Sequence, residues 1–284
     1  MVRNKVIPAG SVAHIIQRAP GNEPLFLEEG DYLYFLRLLK ESSSKHHMDV
    51  FCFALMPNHF HLLVRFLKDN ASSAIKNICE KYAWFFNSKY KRKGHVFYGA
   101  FRASLCLDDS YLLTSSLYIH ANPVKAKLAS QPSRYRWSSC SLYTEHCDKK
   151  TFIKYRFILE TLSNNIGKAR RDYNYLLLRS LDLPVDNILK NPKALMGLRQ
   201  SLIGDFLKIN KTVVGNKDIL DDSTLENRLR EFSESKKLRN PQARKARLYL
   251  IQQLLNRGFP IDEIARELNL AKRTIYEIVQ SKEK

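Results

Sequence analysis

The sequence predicts an α+β fold followed by an all-α region, and three observations lead to this prediction. Strand-like and helical apolar patterns alternate through residues 11–129. Two of the strands are separated by only two residues, and so short a connection requires an antiparallel pair. Strand patterns nearly vanish from about residue 151 onward. We therefore expect an at least partly antiparallel sheet with helices on one face, and then helices alone.

The amino-terminal half has the element order strand, helix, hairpin, helix, strand, helix. The helices show apolar residues at a spacing of three or four, and the strands show short apolar runs. Pro57 cannot donate to a central ladder, so we place it in the turn of the hairpin. The expected segments are strands at 11–19, 49–56, 59 onward and 95–108, and helices at 28–45, 71–94 and 108–129.

Charge and cysteine content limit the class of protein. The net charge is +19, with +9 before residue 151 (21 basic, 12 acidic) and +10 after it (26 basic, 16 acidic). Because both halves are basic, a polyanion such as nucleic acid is the expected partner, although a basic protein without such a partner stays an alternative. Five cysteines without a CxxC pair indicate neither a zinc ribbon nor a disulfide framework, which fits a reducing cytoplasm. We see no signal peptide and no membrane span.

Two histidines lie one residue apart in the run "MPNHFHLLV" (56–64). In a strand, His59 and His61 project from one face and Phe60 from the other. Imidazole is the commonest metal-binding side chain, so the pair indicates a metal site. The alternative is two partly buried aromatic residues with ordinary hydrogen-bond partners. A third ligand has to come from elsewhere in the chain.

The segment "SSLYIHANPV" (115–124) offers such a ligand and a nucleophile. Tyr118 and Asn122 are four residues apart, so a helix places both on one face. Asn122 could complete a metal site, and Tyr118 could present its phenolic oxygen to a phosphate held there. Pro123 disfavours the helical region for the residue before it, so the helix could end or kink at that point. The alternatives are a core tyrosine and an Asn-Pro turn.

The carboxy-terminal segment "FPIDEIARELNLAKRTIYEIVQ" (259–280) fits a helix-turn-helix. Asn269 falls where the tight turn favours positive φ. The second helix would present Lys272, Arg273 and Tyr276 to DNA. The alternative is an ordinary helical hairpin. The apolar positions expected to join the two helices are Ile264, Ala265, Leu268, Leu270, Ile275 and Ile278.

The combination of "MPNHFHLLV" with "YIHANPVKAKLA" (118–129) resembles the single-tyrosine HUH transposases, which are IS200-like, and in particular the REP-associated tyrosine transposase branch. That family has a histidine, a bulky apolar residue and a histidine, followed downstream by a tyrosine just before Asn-Pro-Val. The similarity covers roughly residues 5–145, including "VAHIIQRA", "GHVFYGAF" and "YRWSSCSLY".

The resemblance implies a ferredoxin-like antiparallel sheet and assigns roles to matching positions. His59 and His61 correspond to the metal-binding histidines, Asn122 to the residue that completes the site, and Tyr118 to the nucleophile. The implied reaction uses Mg²⁺ or Mn²⁺ and passes through a covalent 5′-phosphotyrosine on single-stranded DNA, alone or flanking a hairpin. Ala100 departs from the family, because a basic residue is expected there. Phosphate contacts then fall to Arg102 or to the cluster Lys91, Arg92 and Lys93.

We therefore expect three regions: a catalytic domain at 1–148, a helical linker region at 149–240 and a helix-turn-helix domain at 241–284. The expected function is cleavage and rejoining of single-stranded DNA in the cytoplasm, in association with the nucleoid. Two other functions stay open, a catalytically silent DNA-binding regulator and a metal-dependent hydrolase that uses water. Assembly is open between a monomer and a homodimer.

Overall fold

The computed structural model describes residue 7 and residues 9–106, 108–146, 150–184, 194–210, 250–251, 254, 259 and 261–280. The chain divides into two compact units. The first comprises Met1–Pro184 and Ser201–Val214, and the second comprises Val185–Gln200 and Gly215–Lys284. The domain boundaries expected at 148 and 240 stay predictions. In the part of the chain that the structure describes, no helix is long and apolar enough to cross a membrane.

The first unit contains a four-stranded sheet in which every neighbouring pair is antiparallel. Its strands lie in the order β2-β3-β1-β4. Two helices connect the strands and a third follows the last one, which gives the βαββαβ order of a ferredoxin-like fold and confirms the expected class. The elements are β1 (Val12–Arg18), α1 (Glu29–Lys45), β2 (Met48–Met56), β3 (His59–Phe66), α2 (Ala71–Lys89), β4 (Arg102–Cys106) and α3 (Asp109–Lys125).

Helices cover both faces of the sheet, so the expectation of helices on one face was wrong. On one face, Phe60 of β3 contacts Phe35 of α1 at a ring-centroid distance of 4.8 Å. On the other face, His61 contacts Tyr118 of α3 at 5.8 Å. The physical reason lies in β3, where residues of both parities are buried from 60 to 64. Apolar surface on both faces of a strand has to be covered on both sides.

Two element boundaries differ from expectation. The strand expected over 95–108 begins only at Arg102, because Gly99 adopts a φ of +59° and ends the extended run. The helix expected to end at Gly94 ends at Lys89. By contrast, α3 continues through Pro123 to Lys125 without ending at the proline.

Further helices follow along the chain. The helical segment expected at 151–181 forms two helices, and the second of them packs against α3 through a hydrogen bond from Tyr173 to Ser116. Much of the weakly patterned stretch 182–240 lies outside the described residues. The helices are α4 (Cys140–Thr144), α5 (Tyr155–Leu159) and α6 (Ile166–Asp182), after a 3-10 turn at Pro132–Arg134, and α7 (Ala194–Ile209) follows.

The second unit ends in two short helices, α8 (Ile261–Glu267) and α9 (Lys272–Gln280). Asn269 in the turn between them has a φ of +47°, as expected from the sequence. The amide of Leu270 donates to the carbonyl of Ala265 and closes the end of α8. Four of the apolar residues expected to join the helices are buried: Ile264, Ala265, Leu268 and Ile275.

Candidate active site

The turn between β2 and β3 is fixed by backbone hydrogen bonds from the segment after β1. The amide of Ala19 donates to the carbonyl of Asn58 at 2.9 Å, and the amide of Leu25 donates to the carbonyl of Pro57 at 2.6 Å. Pro57 lies in the turn, as expected for a residue that cannot donate to the ladder. These bonds hold the start of β3, and therefore His59, in a defined position.

His59 and His61 lie on one face of β3, with ring centroids 4.9 Å apart. In each ring Nδ1 has a hydrogen-bond partner. His59 Nδ1 lies 2.7 Å from Asn58 Oδ1, and His61 Nδ1 lies 2.9 Å from His14 Nε2. The Nε2 atom of His61 is buried without a hydrogen-bond partner. A buried nitrogen with no partner next to a second imidazole is the arrangement that a metal ion would satisfy.

Both imidazoles are neutral at pH 7. Burial lowers the pKa of His61 well below its ordinary value, and the neighbouring His59 and His14 lower it further. Burial and the charge of Arg18 lower the pKa of His59 to about 4. A metal ion binds the unprotonated ring, so neither nitrogen has to lose a proton before it can act as a ligand.

Tyr118 of α3 lies against this pair. Its ring centroid is 5.8 Å from that of His61 and 6.1 Å from that of His14, and its side chain is only 5% exposed. The position of α3 is set at its start, where the side chain of Asp108 accepts a hydrogen bond from the amide of Tyr111 at 2.7 Å. The proposed nucleophile and the proposed ligands therefore meet across the face of the sheet.

Asn122 lies one helical turn after Tyr118, and its Nδ2 donates to the carbonyl of Tyr118 at 3.2 Å. The amide nitrogen is thus bound within α3, and Oδ1 is the atom a cation would use. No group of three or more His, Cys, Asp or Glu residues suited to a metal ion occurs among the described residues. A metal site here would consist of two imidazoles and an amide oxygen, with further positions for substrate and water. The amide oxygen of this donor set suits Mn²⁺ or Mg²⁺, since both accept oxygen ligands.

A buried hydrogen-bond network fixes the rotation of α3. His120 Nδ1 lies 2.7 Å from the hydroxyl of Tyr173 on α6, and its Nε2 lies 2.9 Å from Ser139 Oγ. Ser139 Oγ in turn accepts from the amide of Phe53 on β2. Since His120 is two residues from Tyr118, the network holds the opposite side of α3 while Tyr118 faces the sheet.

The basic residues expected to contact DNA in this unit differ in their surroundings. Arg102 pairs with Ile16 in the ladder, which places it on the face of the sheet that carries the histidines. Arg92 forms an ion pair with Glu23 at 2.6 Å. Lys91 and Lys93 are exposed just after α2.

Two residues of the site have a more definite position than the sequence indicated. The sequence places His14 on the first strand as a candidate neighbour of the hairpin, and the structure brings it into direct contact with His61. The sequence assigns no role to Arg18, which pairs with His59 in the ladder. Strand parity already put His14 and Arg18 on a common face of β1. The signal that was missing is the register between β1 and β3, which no local pattern contains.

In the second unit, the residues expected to read DNA lie on α9. Lys272 at its start forms an ion pair with Asp262 of α8 at 2.6 Å, and Arg273 is exposed. Tyr276 is half-buried, and burial together with Asp262 raises its pKa. The surface is therefore basic, and Lys272 is paired within the unit.

Part of the chain is similar to known proteins. Residues 10–122 match the family model described as "Transposase IS200 like". This part of the chain, about 40% of its length, is therefore similar to the IS200-like transposase family. Among solved structures, the chain is similar to a REP-associated tyrosine transposase bound to a REP hairpin, with 16% identity, 49% of this chain and 81% of that chain covered, and a TM-score of 0.43. No curated protein matches the sequence.

Proposed function

We propose that the protein is a DNA transposase that cleaves and rejoins single-stranded DNA through a covalent bond to Tyr118. The observation that carries the proposal is the position of Tyr118 beside His61, whose buried Nε2 has no hydrogen-bond partner. The match of residues 10–122 to the IS200-like transposase family model supports the class of reaction. The proposal adds the nucleophile, the metal and the substrate.

In this proposal His59, His61 and Asn122 hold a divalent cation, Mg²⁺ or Mn²⁺. When bound, the cation would neutralise charge on a non-bridging phosphate oxygen and thereby make the phosphorus more electrophilic. The protein supplies the orientation of this site. Asn58 and His14 each engage one ring nitrogen, so both imidazoles present Nε2.

Tyr118 performs the covalent step. Its phenolic oxygen forms a bond to phosphorus while the bond from phosphorus to the 3′-oxygen breaks. The phenol proton passes to solvent, and the departing 3′-oxygen takes up a proton from solvent and leaves as a hydroxyl. The 5′-phosphotyrosine conserves the energy of the phosphodiester, so a second 3′-hydroxyl can attack it and join two strands.

The second unit would hold the substrate. We propose that Lys272, Arg273 and Tyr276 contact DNA, because they lie on the exposed side of a helix whose other side packs through Ile275. In the first unit, the proposed phosphate contacts are Arg102, on the face of the sheet that carries the histidines, and the exposed Lys91 and Lys93. Arg92 is already paired with Glu23.

A second function has an observation in its favour. Tyr118 is only 5% exposed, which restricts the access of a phosphate to this residue. A DNA-binding regulator without catalysis would not need that access. A metal-dependent hydrolase that activates water would use the histidines and leave Tyr118 as a structural residue.

One assay distinguishes the three functions. Labelled single-stranded DNA is incubated with protein and Mn²⁺, and the products are separated under denaturing conditions. We expect a protein-linked product with the wild type and none with Tyr118→Phe. Tyr111→Phe is the matched control, since Tyr111 lies two turns earlier on α3, is equally buried and is expected to leave the adduct unchanged.

The other results exclude the proposal in different ways. An adduct that persists in Tyr118→Phe would remove that residue as the nucleophile. Cleavage without an adduct would identify the hydrolase, and binding without cleavage would identify the regulator.

A further inference from the structure

The segment between Gly94 and Arg102 is fixed against the end of β1. The amide of Tyr98 donates to the carbonyl of Arg18 at 2.8 Å, and Gln17 Nε2 donates to the carbonyl of Gly99 at 3.0 Å. Phe97 anchors the segment in the core, with its ring 6.2 Å from that of Phe60. The backbone at Tyr98 is therefore held in place by these contacts, independently of the Tyr98 side chain.

The side chain of Tyr98 is 59% exposed, although its backbone is fixed. One face of its ring lies against the guanidinium of Arg18, at 4.9 Å from the ring centroid. A large aromatic residue usually buries more of its surface. An exposed ring with a cation on one face leaves the other face available for a planar ligand.

Arg18 connects this ring to the candidate active site. It pairs with His59 in the ladder between β1 and β3, so their side chains share a face. Its charge contributes to the lowered pKa of His59.

We propose that Arg18 and Tyr98 form a binding subsite for the nucleotide next to the cleaved phosphate of single-stranded DNA. The Tyr98 ring stacks on the base, and the Arg18 guanidinium contacts the backbone phosphate. Sequence-tolerant binding of single strands combines a stacking aromatic with a cation along the backbone. The subsite rests on the proposed function, because it takes its position from the metal and nucleophile site beside it.

Substitutions of Tyr98 and of Arg18 are expected to affect DNA binding differently, and two oligonucleotide probes distinguish the two effects. The probes are a short labelled oligothymidylate and a fully abasic oligonucleotide of the same length, measured by fluorescence anisotropy without metal. Tyr98→Ala is expected to weaken binding of the oligothymidylate about 10-fold and to leave the abasic probe unaffected, since stacking needs a base. Tyr98→Phe keeps the ring and is expected to bind like the wild type.

Arg18→Met is expected to weaken both probes by the same factor and to reduce the salt dependence of binding by about 0.7 in log-log slope, the value of one phosphate contact on a single strand. Trp84→Ala is the matched control. Trp84 is 74% exposed on α2, which packs with α1 on the Phe60 side of the sheet, and its loss should change neither affinity. Tryptophan fluorescence confirms folding of the Tyr98 and Arg18 variants.

Failure of the subsite and failure of the proposed function give different results. If Tyr98→Ala binds the oligothymidylate normally, or loses the same factor on both probes, the stacking role is wrong even where the Tyr118 adduct forms. If Arg18→Met leaves the salt dependence unchanged, the phosphate contact is wrong. If no adduct forms but the base-dependent loss is observed, the subsite stands without the covalent mechanism.

Discussion

His14 Nε2 on β1 lies 2.9 Å from His61 Nδ1 on the neighbouring strand β3, in the interior of the first unit. For His61 to bind a cation through Nε2, its proton must reside on Nδ1, so His14 accepts that hydrogen bond. His14 then carries its own proton on Nδ1, which is buried without a partner. His14 thus determines which nitrogen of His61 is available.

This relationship predicts a loss of metal affinity when the acceptor is removed. His14→Leu is expected to weaken Mn²⁺ binding by about 10- to 100-fold, the usual effect of losing the partner of a metal-bound histidine. His14→Gln provides an amide oxygen that can accept the same hydrogen bond and should retain most of the affinity. Titration calorimetry of the two variants makes the comparison. Equal affinity of His14→Leu and the wild type would exclude the positioning role.

Because His120 is buried within its hydrogen-bond network, we expect the first unit to lose stability at acidic pH. Burial lowers the pKa of His120 from 6.5 to about 3. Below pH 6.5 the unfolded chain binds a proton that the folded chain does not, so stability falls as the pH falls from 6.5 toward 3. The loss is about 1.4 kcal/mol per pH unit, or about 2 kcal/mol at pH 5.

Urea unfolding at pH 7 and pH 5 measures this loss, followed by the fluorescence of Trp84 and Trp137, which both lie in the first unit. Other buried histidines contribute in the same direction, so the comparison is with His120→Gln. The variant is less stable at pH 7 because it loses hydrogen bonds, but its stability should fall less between the two pH values. An identical pH dependence would show that His120 is protonated in the folded protein.

Sequence periodicity predicted much of the candidate site. A period of two put His59 and His61 on one face, and a spacing of four put Tyr118 and Asn122 on one turn of a helix. Local patterns do not contain the register between strands or the face on which a helix packs. For that reason the sequence offered His14 only as a candidate neighbour of the hairpin, and the closeness of Arg18 to His59 was not predicted.

The helices covering both faces of the sheet were missed for a related reason. From the sequence of β3, the two histidines were expected on one face and Phe60, Leu62 and Val64 on the other. Burial of His61 and Leu63 shows that the histidine face is also part of the core. A strand buried on both faces cannot be distinguished from an alternating one when its polar residues are themselves buried.

The turn between α8 and α9 predicts a strict preference at one position. Asn269 has a φ of +47°, a region that costs a β-branched residue roughly 1–2 kcal/mol. Asn269→Val should therefore destabilise the helix pair, and Asn269→Gly should be tolerated. Hydrogen exchange of the amides of Leu268 and Leu270, which donate to α8 carbonyls, reports local opening. Equal protection in both variants would contradict this conformation.

The ion pair between Lys272 and Asp262 predicts how the second unit binds duplex DNA. Both side chains are about half exposed or more, so the pair contributes little to stability and competes with phosphate for the ammonium group. Asp262→Asn should therefore tighten binding to a duplex of mixed sequence, because it releases Lys272. Arg273→Gln should weaken binding and reduce the salt dependence by about 0.9 in log-log slope, the value of one phosphate contact.

Lys168→Gln serves as the control for these variants. It removes one positive charge from the exposed side of α6 in the first unit, where Lys168 pairs with Asp172, and it should leave the slope unchanged. If Arg273→Gln and Lys168→Gln have the same effect, the duplex responds only to net charge. The two helices are then an ordinary helical hairpin and not a DNA-binding module. A reduced slope for Arg273→Gln alone identifies α9 as the surface that faces the phosphates, because counterion release depends on contacts and not on distant charge.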